Sequence, residues 1–243
     1  MFKDSEILVT GGSGLLGTTL KDIKPDYQYP SHAAFDITDY SSIDNYTQDL
    51  AAQGINIKCI LHFAAFTSPP KVEKDPKQAL LTNIVGTANV VRLCMKYNIR
   101  MLYTSTDYVF DGESGNYKET DPVLPTGIYA WSKLGGETAA LMYDKSLIIR
   151  MSISPDEFPH PKAWIDQWTS RETAAQTCTK IIKLADSDVT GIIHIGGRRQ
   201  SVYEFAKSLS PDKDIGTLER KNANYAVPKD TSLDSSLYER SIV

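Results

Sequence analysis

Glu6-Ile-Leu-Val-Thr-Gly-Gly-Ser-Gly-Leu-Leu-Gly17 joins a short apolar run to glycines 11, 14 and 17, spaced three apart. Residues 6–10 predict a buried strand, and Leu15, Leu16 and Leu20 continue at helical spacing up to Pro25. In a strand-turn-helix, Gly11 permits the sharp turn, Gly14 lets the backbone approach a pyrophosphate, and Gly17 lets helix and strand pack closely. The helix start adds free N–H groups and a positive dipole end. NAD or NADP is the natural ligand of such a loop. An acidic residue ending the second strand would bind the ribose 2′-hydroxyl and an arginine would favour a 2′-phosphate. Tyr29-Pro-Ser-His32 has neither, so NADPH is expected to bind at least as well as NADH.

Working outward, residues 27–29 predict a brief second strand, and the apolar run 58–64 a strand buried on both faces. Residues 76–97 predict a long helix, with Asp75 as N-cap and Pro76 in its first position. Strands follow at 100–105 and 146–151, with a helix at 128–143 between them. Alternating strands and helices imply an α/β fold with a doubly wound parallel sheet. Beyond Met151 the pattern weakens. Residues 154–161 read as a loop, 171–185 and 202–208 as helices, 191–195 as a strand, and the tail from Pro211 as polar and irregular. Residues 1–151 are therefore expected to form a Rossmann domain, and 152–243 a reduced C-terminal substrate lobe interleaved with the last sheet elements.

At 243 residues the chain can bury a sizeable core without disulfides. Its three cysteines, Cys59, Cys94 and Cys178, lack paired spacing and are expected to be reduced core residues. A net charge of -4 without a basic stripe argues against nucleic acid. No run approaches the ~18 apolar residues of a membrane helix, and Met1 to Glu6 holds no apolar signal core. A cytoplasmic protein is expected. His32, His62, His160 and His194 have no metal spacing, so no metal is expected, and His62 and His194, in apolar runs, read as core.

Tyr129 and Lys133 stand four apart in Ile128-Tyr-Ala-Trp-Ser-Lys133. On a helix they share one face about a turn apart, where an ammonium favours the ionised phenol. Such a pair beside a nicotinamide is a proton donor.

Residues 103–122, read as Tyr-Thr-Ser-Thr-Asp-Tyr-Val-Phe-Asp-Gly-Glu-Ser-Gly-Asn-Tyr-Lys-Glu-Thr-Asp-Pro, and 129–137, read as Tyr-Ala-Trp-Ser-Lys-Leu-Gly-Gly-Glu, strongly resemble the dTDP-4-dehydrorhamnose reductase family of extended short-chain dehydrogenase/reductases. The resemblance extends to residues 62–67, 83–87, 166–167, 202–206 and 227–237. It implies NAD(P)H-dependent reduction of the 4-keto group of a nucleotide-linked 6-deoxy-hexulose. In that reading Thr106, Tyr129 and Lys133 are catalytic. Tyr129 protonates the alkoxide, Lys133 lowers the tyrosine pKa and holds the nicotinamide ribose, and Thr106 bonds the ketone oxygen. Asp107 binds the sugar. Gly11, Ser13, Gly14, Leu15, Leu16 and Gly17 hold the cofactor. Phe35-Asp-Ile-Thr-Asp39 resembles the family's adenine segment, which carries over Asp36 and Ile37, with turn or helix capping the alternative for Asp36. Ala65, Phe66 and Thr67 line the cofactor, and Asn83 is a looser candidate. A homodimer is possible.

Sugar-nucleotide 4,6-dehydratases carry Asp-Glu after the threonine, whereas here Tyr108 takes the second position, which disfavours dehydration. Three departures stand out. Ala130 and Trp131 replace a glycine and a polar residue. Residues 151–155 lack the usual S-W-x-Y. The segment from Arg150 to Asp166-Gln167 is short, so residues 152–165 are expected to leave the sugar pocket open, with Trp164 and Trp168 meeting a ligand or partner, or else packing in the core. The competing readings are a non-catalytic NADP-binding regulatory subunit, as in the partner of a methionine adenosyltransferase, and a sugar-nucleotide epimerase.

Overall fold

The computed structural model describes residues 2–223 and 227–242. In chain order, β1 (Ile7–Thr10) and α1 (Leu15–Ile23) lead to α2 (Tyr40–Ala52), β2 (Cys59–His62) and α3 (Pro69–Lys74). A three-part helix follows: α4 (Pro76–Ala79), a π-helical segment (Leu80–Gly86) and α5 (Thr87–Tyr97). Next come β3 (Arg100–Thr104), α6 (Ile128–Leu141) and β4 (Ser146–Arg150). The remainder holds β5 (Ile153–Ser154), β6 (Lys162–Trp164), β7 (Trp168–Thr169), β8 (Glu172–Thr173), α7 (Ala174–Ala185), β9 (Gly191–His194), β10 (Gln200–Ser201), α8 (Val202–Leu209), β11 (Gly216–Leu218) and α9 (Ser236–Ser241).

The central sheet runs β1-β2-β3-β4-β9, and every neighbouring pair is parallel. Parallel neighbours need crossovers, which the helices supply on both faces. The strands are apolar at successive positions because alternate side chains enter different cores. Ile7, Val9, Leu61, Leu102, Leu147 and Ile149 face one core with Leu20 of α1 and Ile181 of α7. Leu8, Ile60, Met101, Tyr103 and Ile148 face the other, with Ile43 of α2 and Leu93 of α5. Each fully buried aliphatic side chain contributes about 1.5–3 kcal/mol. The three cysteines are free and buried, and burial pushes the Cys59 and Cys178 thiols up to about 12.

Beyond β1 the expected second strand shrinks to a single bridge, Gln28 to Leu8. The long helix begins where Asp75 Oδ1 accepts from Gln78 N at 3.0 Å, and its π-helical segment was not anticipated. The helix α2 was missed, although Asp39 caps it and Ile43, Thr47 and Leu50 share its buried face. The helix expected from Arg171 starts at Ala174, because Thr173 and Gln176 form a reciprocal capping box there. The tail from Pro211 is more regular than expected. Within it β11 pairs with β6, and α9 closes the chain, non-local placements that no local period announces.

A small third core gathers Phe158, Ala163, Val202, Ala206 and Ile215, with Trp164 packed against it. Residues 229–232 run between two segments of the chain. Asp230 N donates to Gly112 O at 2.7 Å and Asn116 N to Ser232 Oγ at 2.8 Å on one side. Trp168 N donates to Lys229 O at 2.8 Å and Thr231 N to Trp168 O at 3.1 Å on the other. Among the described residues, no helix is long and apolar enough to cross a membrane.

Candidate active site

A cleft of about 1270 Å³ opens at the C-terminal ends of the sheet strands, and the glycine loop forms one wall. Gly11 takes φ +71, and a Cβ there would fall 2.6 Å from Ala64 N. Only glycine fits that turn. At Gly17 a Cβ would overlap Gly11 O and the Gly12 backbone, so α1 packs directly on the loop. Gly14 is the N-cap of α1 and offers no side-chain cap, which leaves the first-turn N–H groups open to an anion. Gly11, Ser13, Gly14, Leu15, Leu16 and Gly17 all line the cleft.

Across the sheet, Thr10 Oγ1 and His62 Nδ1 lie 2.7 Å apart, and His62 Nε2 lies 3.1 Å from Thr87 Oγ1. His62 is fully buried, and burial pushes its pKa down to about 3, so it is a neutral core imidazole, as read from the sequence. Ala65 and Thr67 line the cleft while Phe66 does not. Phe66 is instead held by Asn83 from within the π-helical segment, and the Asn83 amide also donates to Ser132 Oγ at 2.8 Å. A widened turn at such a position is a common device near functional sites. Ile37 lines the cleft. Asp36 is not among the lining residues, because its Oδ1 accepts from Thr38 N at 2.9 Å and Thr38 Oγ1 at 2.8 Å and closes a turn ahead of α2.

Thr106, Asp107, Tyr129 and Lys133 all meet at this cleft. Thr106 follows β3, where open α/β sheets place ligands. Its hydroxyl donates to Asp107 Oδ1 at 3.1 Å and accepts from Tyr108 N at 3.3 Å. Burial holds the Asp107 carboxyl above the usual carboxylate range. Its Oδ2 is buried and makes no hydrogen bond of ordinary geometry among the described residues, although the Thr231 hydroxyl comes near enough to the carboxyl to favour its charged form. Tyr129 and Lys133 lie on α6, and the Lys133 ammonium sits 4.2 Å over the Tyr103 ring.

The expectation that Lys133 draws the Tyr129 phenol down is not met. Burial pushes that phenol well above its usual value, opposed by a hydrogen bond with Thr106, while the negative charge of Asp107 raises it further. Lys133 is itself buried, which pushes its pKa down to about 7, with Glu137 opposing. An amine half-neutral near pH 7 exerts little pull on a neighbour. The phenol is thus kept protonated.

A second cavity of about 410 Å³ adjoins the first, and Tyr108 and Arg171 line both. Phe158, His160, Lys162 and Trp164 form its far side. Phe158 and residues 160–164 thus supply one wall of this region, which stays open to solvent on another side, and residues 152–165 form no helix, as expected. Trp164 both packs in the third core and lines this cavity. Trp168 lines neither cavity and lies under Arg199, 4.2 Å from its ring. Sequence reasoning missed Arg171 and Lys162, which belong to no motif.

Residues 5–154 match the family described as the RmlD substrate binding domain. A dTDP-4-dehydrorhamnose reductase of Aggregatibacter actinomycetemcomitans is 31% identical over 201 residues, covering 79% of this chain and 62% of that protein. The match therefore spans less than two thirds of that relative's length. The methionine adenosyltransferase 2 subunit beta of Xenopus laevis is 26% identical over 240 residues, covering 84% of this chain and 70% of that one. Among solved structures, a dTDP-4-dehydrorhamnose reductase from Bacillus anthracis in complex with NADP superposes with a TM-score of 0.85 at 24% identity, over 98% of this chain and 93% of that one, and shares its fold.

Proposed function

Because the chain belongs to the RmlD substrate binding domain family, we propose that it reduces the 4-keto group of a nucleotide-linked 6-deoxy-hexulose with NADPH or NADH. One observation carries the reading: Thr106, Tyr129 and Lys133 open into the same cleft as the glycine loop. The similarity to dTDP-4-dehydrorhamnose reductases supports the substrate class.

The glycine loop suits a dinucleotide because its first-turn N–H groups are uncapped. Ser13, Gly14, Leu15 and Leu16 would hold the pyrophosphate, Ile37 the adenine, and Lys133 the nicotinamide ribose. When bound, the reduced nicotinamide supplies the hydride. Tyr129 then donates its phenolic proton to the developing alkoxide, and the Thr106 hydroxyl steadies the same oxygen; such donors contribute orders of magnitude in rate. The buried Asp107 Oδ2 is suited to a sugar hydroxyl. The second cavity, with Trp164, Lys162, His160 and Arg171, suits a base and a diphosphate. Tyr108 in place of an acid disfavours dehydration.

We read residues 1–151 as the cofactor domain and 152–243 as the substrate lobe, interleaved because α7 and β9 return to the central layers. Exposed Leu80, Leu81 and Val85, with Trp131 and Leu141 on α6, support a homodimer. A second reading, a regulatory subunit, is favoured by the broad similarity to the methionine adenosyltransferase subunit. An assay of NADPH oxidation with dTDP-4-keto-6-deoxy-hexulose separates them. Turnover that vanishes in Tyr129→Phe supports the reductase; tight NADPH binding with no turnover on dTDP-, GDP-, UDP- or CDP-linked ketosugars supports the subunit.

A further inference from the structure

Tyr129, Lys133 and Glu137 occupy positions i, i+4 and i+8 of α6, so Lys133 has one neighbour on each side along the same face. Glu137 is 1% exposed and Lys133 3%. A buried lysine and a buried glutamate at this spacing would ordinarily pair. Here the Glu137 ion pair is with Arg150, the last residue of β4, which is also 3% exposed. Arg150 Nε donates to Glu137 Oε1 at 3.0 Å and to Oε2 at 3.3 Å, and Nη2 donates to Oε2 at 2.8 Å. Both carboxylate oxygens are thus engaged by one planar guanidinium, which also lies 5.1 Å over the Phe110 ring. Lys133 points elsewhere, over Tyr103 and along the cleft wall.

We propose that Arg150 is a positioning residue for Lys133: by occupying both oxygens of Glu137 it keeps that carboxylate from capturing the ammonium, and so leaves Lys133 free to face the cofactor cleft. The inference rests on the reading of Lys133 as a cofactor-binding group. The groups facing Lys133 are few. Glu137 comes from its own helix, Tyr103 from β3 and His62 from β2, and Tyr129 lines the same cleft one turn back. His62 is neutral, so among the described residues Glu137 is the anion whose charge acts on Lys133 and can compete for the ammonium. The bidentate geometry makes arginine the suitable partner, since a lysine there would satisfy one oxygen and leave the other available.

The test is a fluorescence titration of NADPH into four proteins: the wild type, Lys133→Met, Arg150→Met, and the double variant Glu137→Gln/Arg150→Met. Lys133→Met is expected to weaken binding, which establishes the premise. Arg150→Met frees Glu137 to take the ammonium and is expected to weaken NADPH binding by roughly five- to fifty-fold, the span of coupling between contacting groups. The double variant removes the competing carboxylate and is expected to bind like the wild type. A merely structural ion pair would also recover in the double variant, because the unpaired buried carboxylate is gone, so melting temperature is read beside affinity. A loss of NADPH affinity in Arg150→Met that only tracks its fall in melting temperature overturns the proposal. Wild-type affinity in Arg150→Met, or no recovery in the double variant, overturns the proposal while leaving the role of Lys133 intact. Wild-type affinity in Lys133→Met overturns both. If Arg150→Met fails to fold because it leaves a buried unpaired carboxylate, the charge-neutral double variant still decides, since weak NADPH binding by that protein overturns the idea.

Discussion

Asn83 and Phe66, seventeen residues apart, clamp one another through a single amide: Asn83 Oδ1 accepts from Phe66 N at 2.7 Å and Nδ2 donates to Phe66 O at 3.0 Å. The side chain mimics a strand neighbour and fixes the backbone between Ala65 and Thr67, both of which line the cleft. Asn83→Ala leaves two backbone groups unpaired and is expected to cost ~1–3 kcal/mol. It should also raise the KM for NADPH more than it lowers kcat. Urea denaturation and steady-state kinetics check the two parts, and an unchanged KM would remove Asn83 from any account of the cofactor wall.

Tyr129→Phe is expected to lower turnover by ~10² to 10⁴, the range for losing a general acid, while NADPH affinity stays near wild type. Single-turnover kinetics beside a binding titration will separate the effects. Comparable loss in both would mean that the phenol is a structural element of α6.

Cofactor preference follows from the far end of the cleft. Ser31, His32 and Lys21 line it there, and Asp107, far along the strands, is the one acidic residue in the lining. NADPH is expected to bind at least as tightly as NADH, since no carboxylate repels a 2′-phosphate. Isothermal titration with both nucleotides decides it, and an NADH preference of roughly tenfold, ~1.4 kcal/mol, would overturn the assignment.

Asp107 places stability against recognition. Its folded pKa is raised by burial, so above the ordinary carboxylate pKa the unfolded chain sheds the proton more readily than the folded one. Its contribution to stability therefore falls as pH rises through that window. Asp107→Asn is expected to raise the melting temperature at pH 7. Asp107→Ala should raise the KM for the sugar nucleotide by roughly tenfold to a hundredfold, the size of a lost hydrogen bond to a charged group. A lower melting temperature in the Asn variant, or an unchanged KM in the Ala variant, would count against this account.

Two neutral histidines set the acid limit. Burial pushes His62 down to about 3 and His194 down to about 4, the latter also disfavoured by the charge of Arg150. The unfolded chain takes up those protons near the ordinary value of about 6.5. Stability is accordingly lost as pH falls from about 6.5 toward 4, by up to ~1.4 kcal/mol per pH unit for each histidine. Thermal melts of the wild type and of His194→Gln across that range test it; identical slopes would assign acid lability to other groups.

The cofactor side was legible because it depends on local signals. The glycines of residues 11–17 and the capping of Asp75 carry their meaning within one turn of chain, and the strands of the central sheet announced themselves by apolar runs buried on both faces. The roles of Asn83 and Arg150 were not legible, since a π-helical turn and a guanidinium reaching across from the next strand arise only on packing. Lys162 stayed hidden as a residue of a short strand whose partner, Gly216, lies far away in sequence, and Arg171 as a loop residue just ahead of β8 that reaches the cleft only on packing. The direction of the Tyr129 shift could not be read from the sequence, because burial of the phenol itself raises it while burial of Lys133 weakens the pull of the amine.

The run of residues 229–232 between Trp168 and the 112–116 loop governs the order in which the two halves can be finished. The glycine loop, Asn83, Tyr129 and Lys133 all precede β4, whereas the ground beneath Asp107 is completed by Thr231 and by contacts spanning 116 residues. Closing so long a loop is slow. With Asp107 read as a sugar contact, a growing chain is therefore expected to complete its grip on a dinucleotide once α7 has packed on α1, and to gain its ability to tell one sugar from another only when the 229–232 run docks.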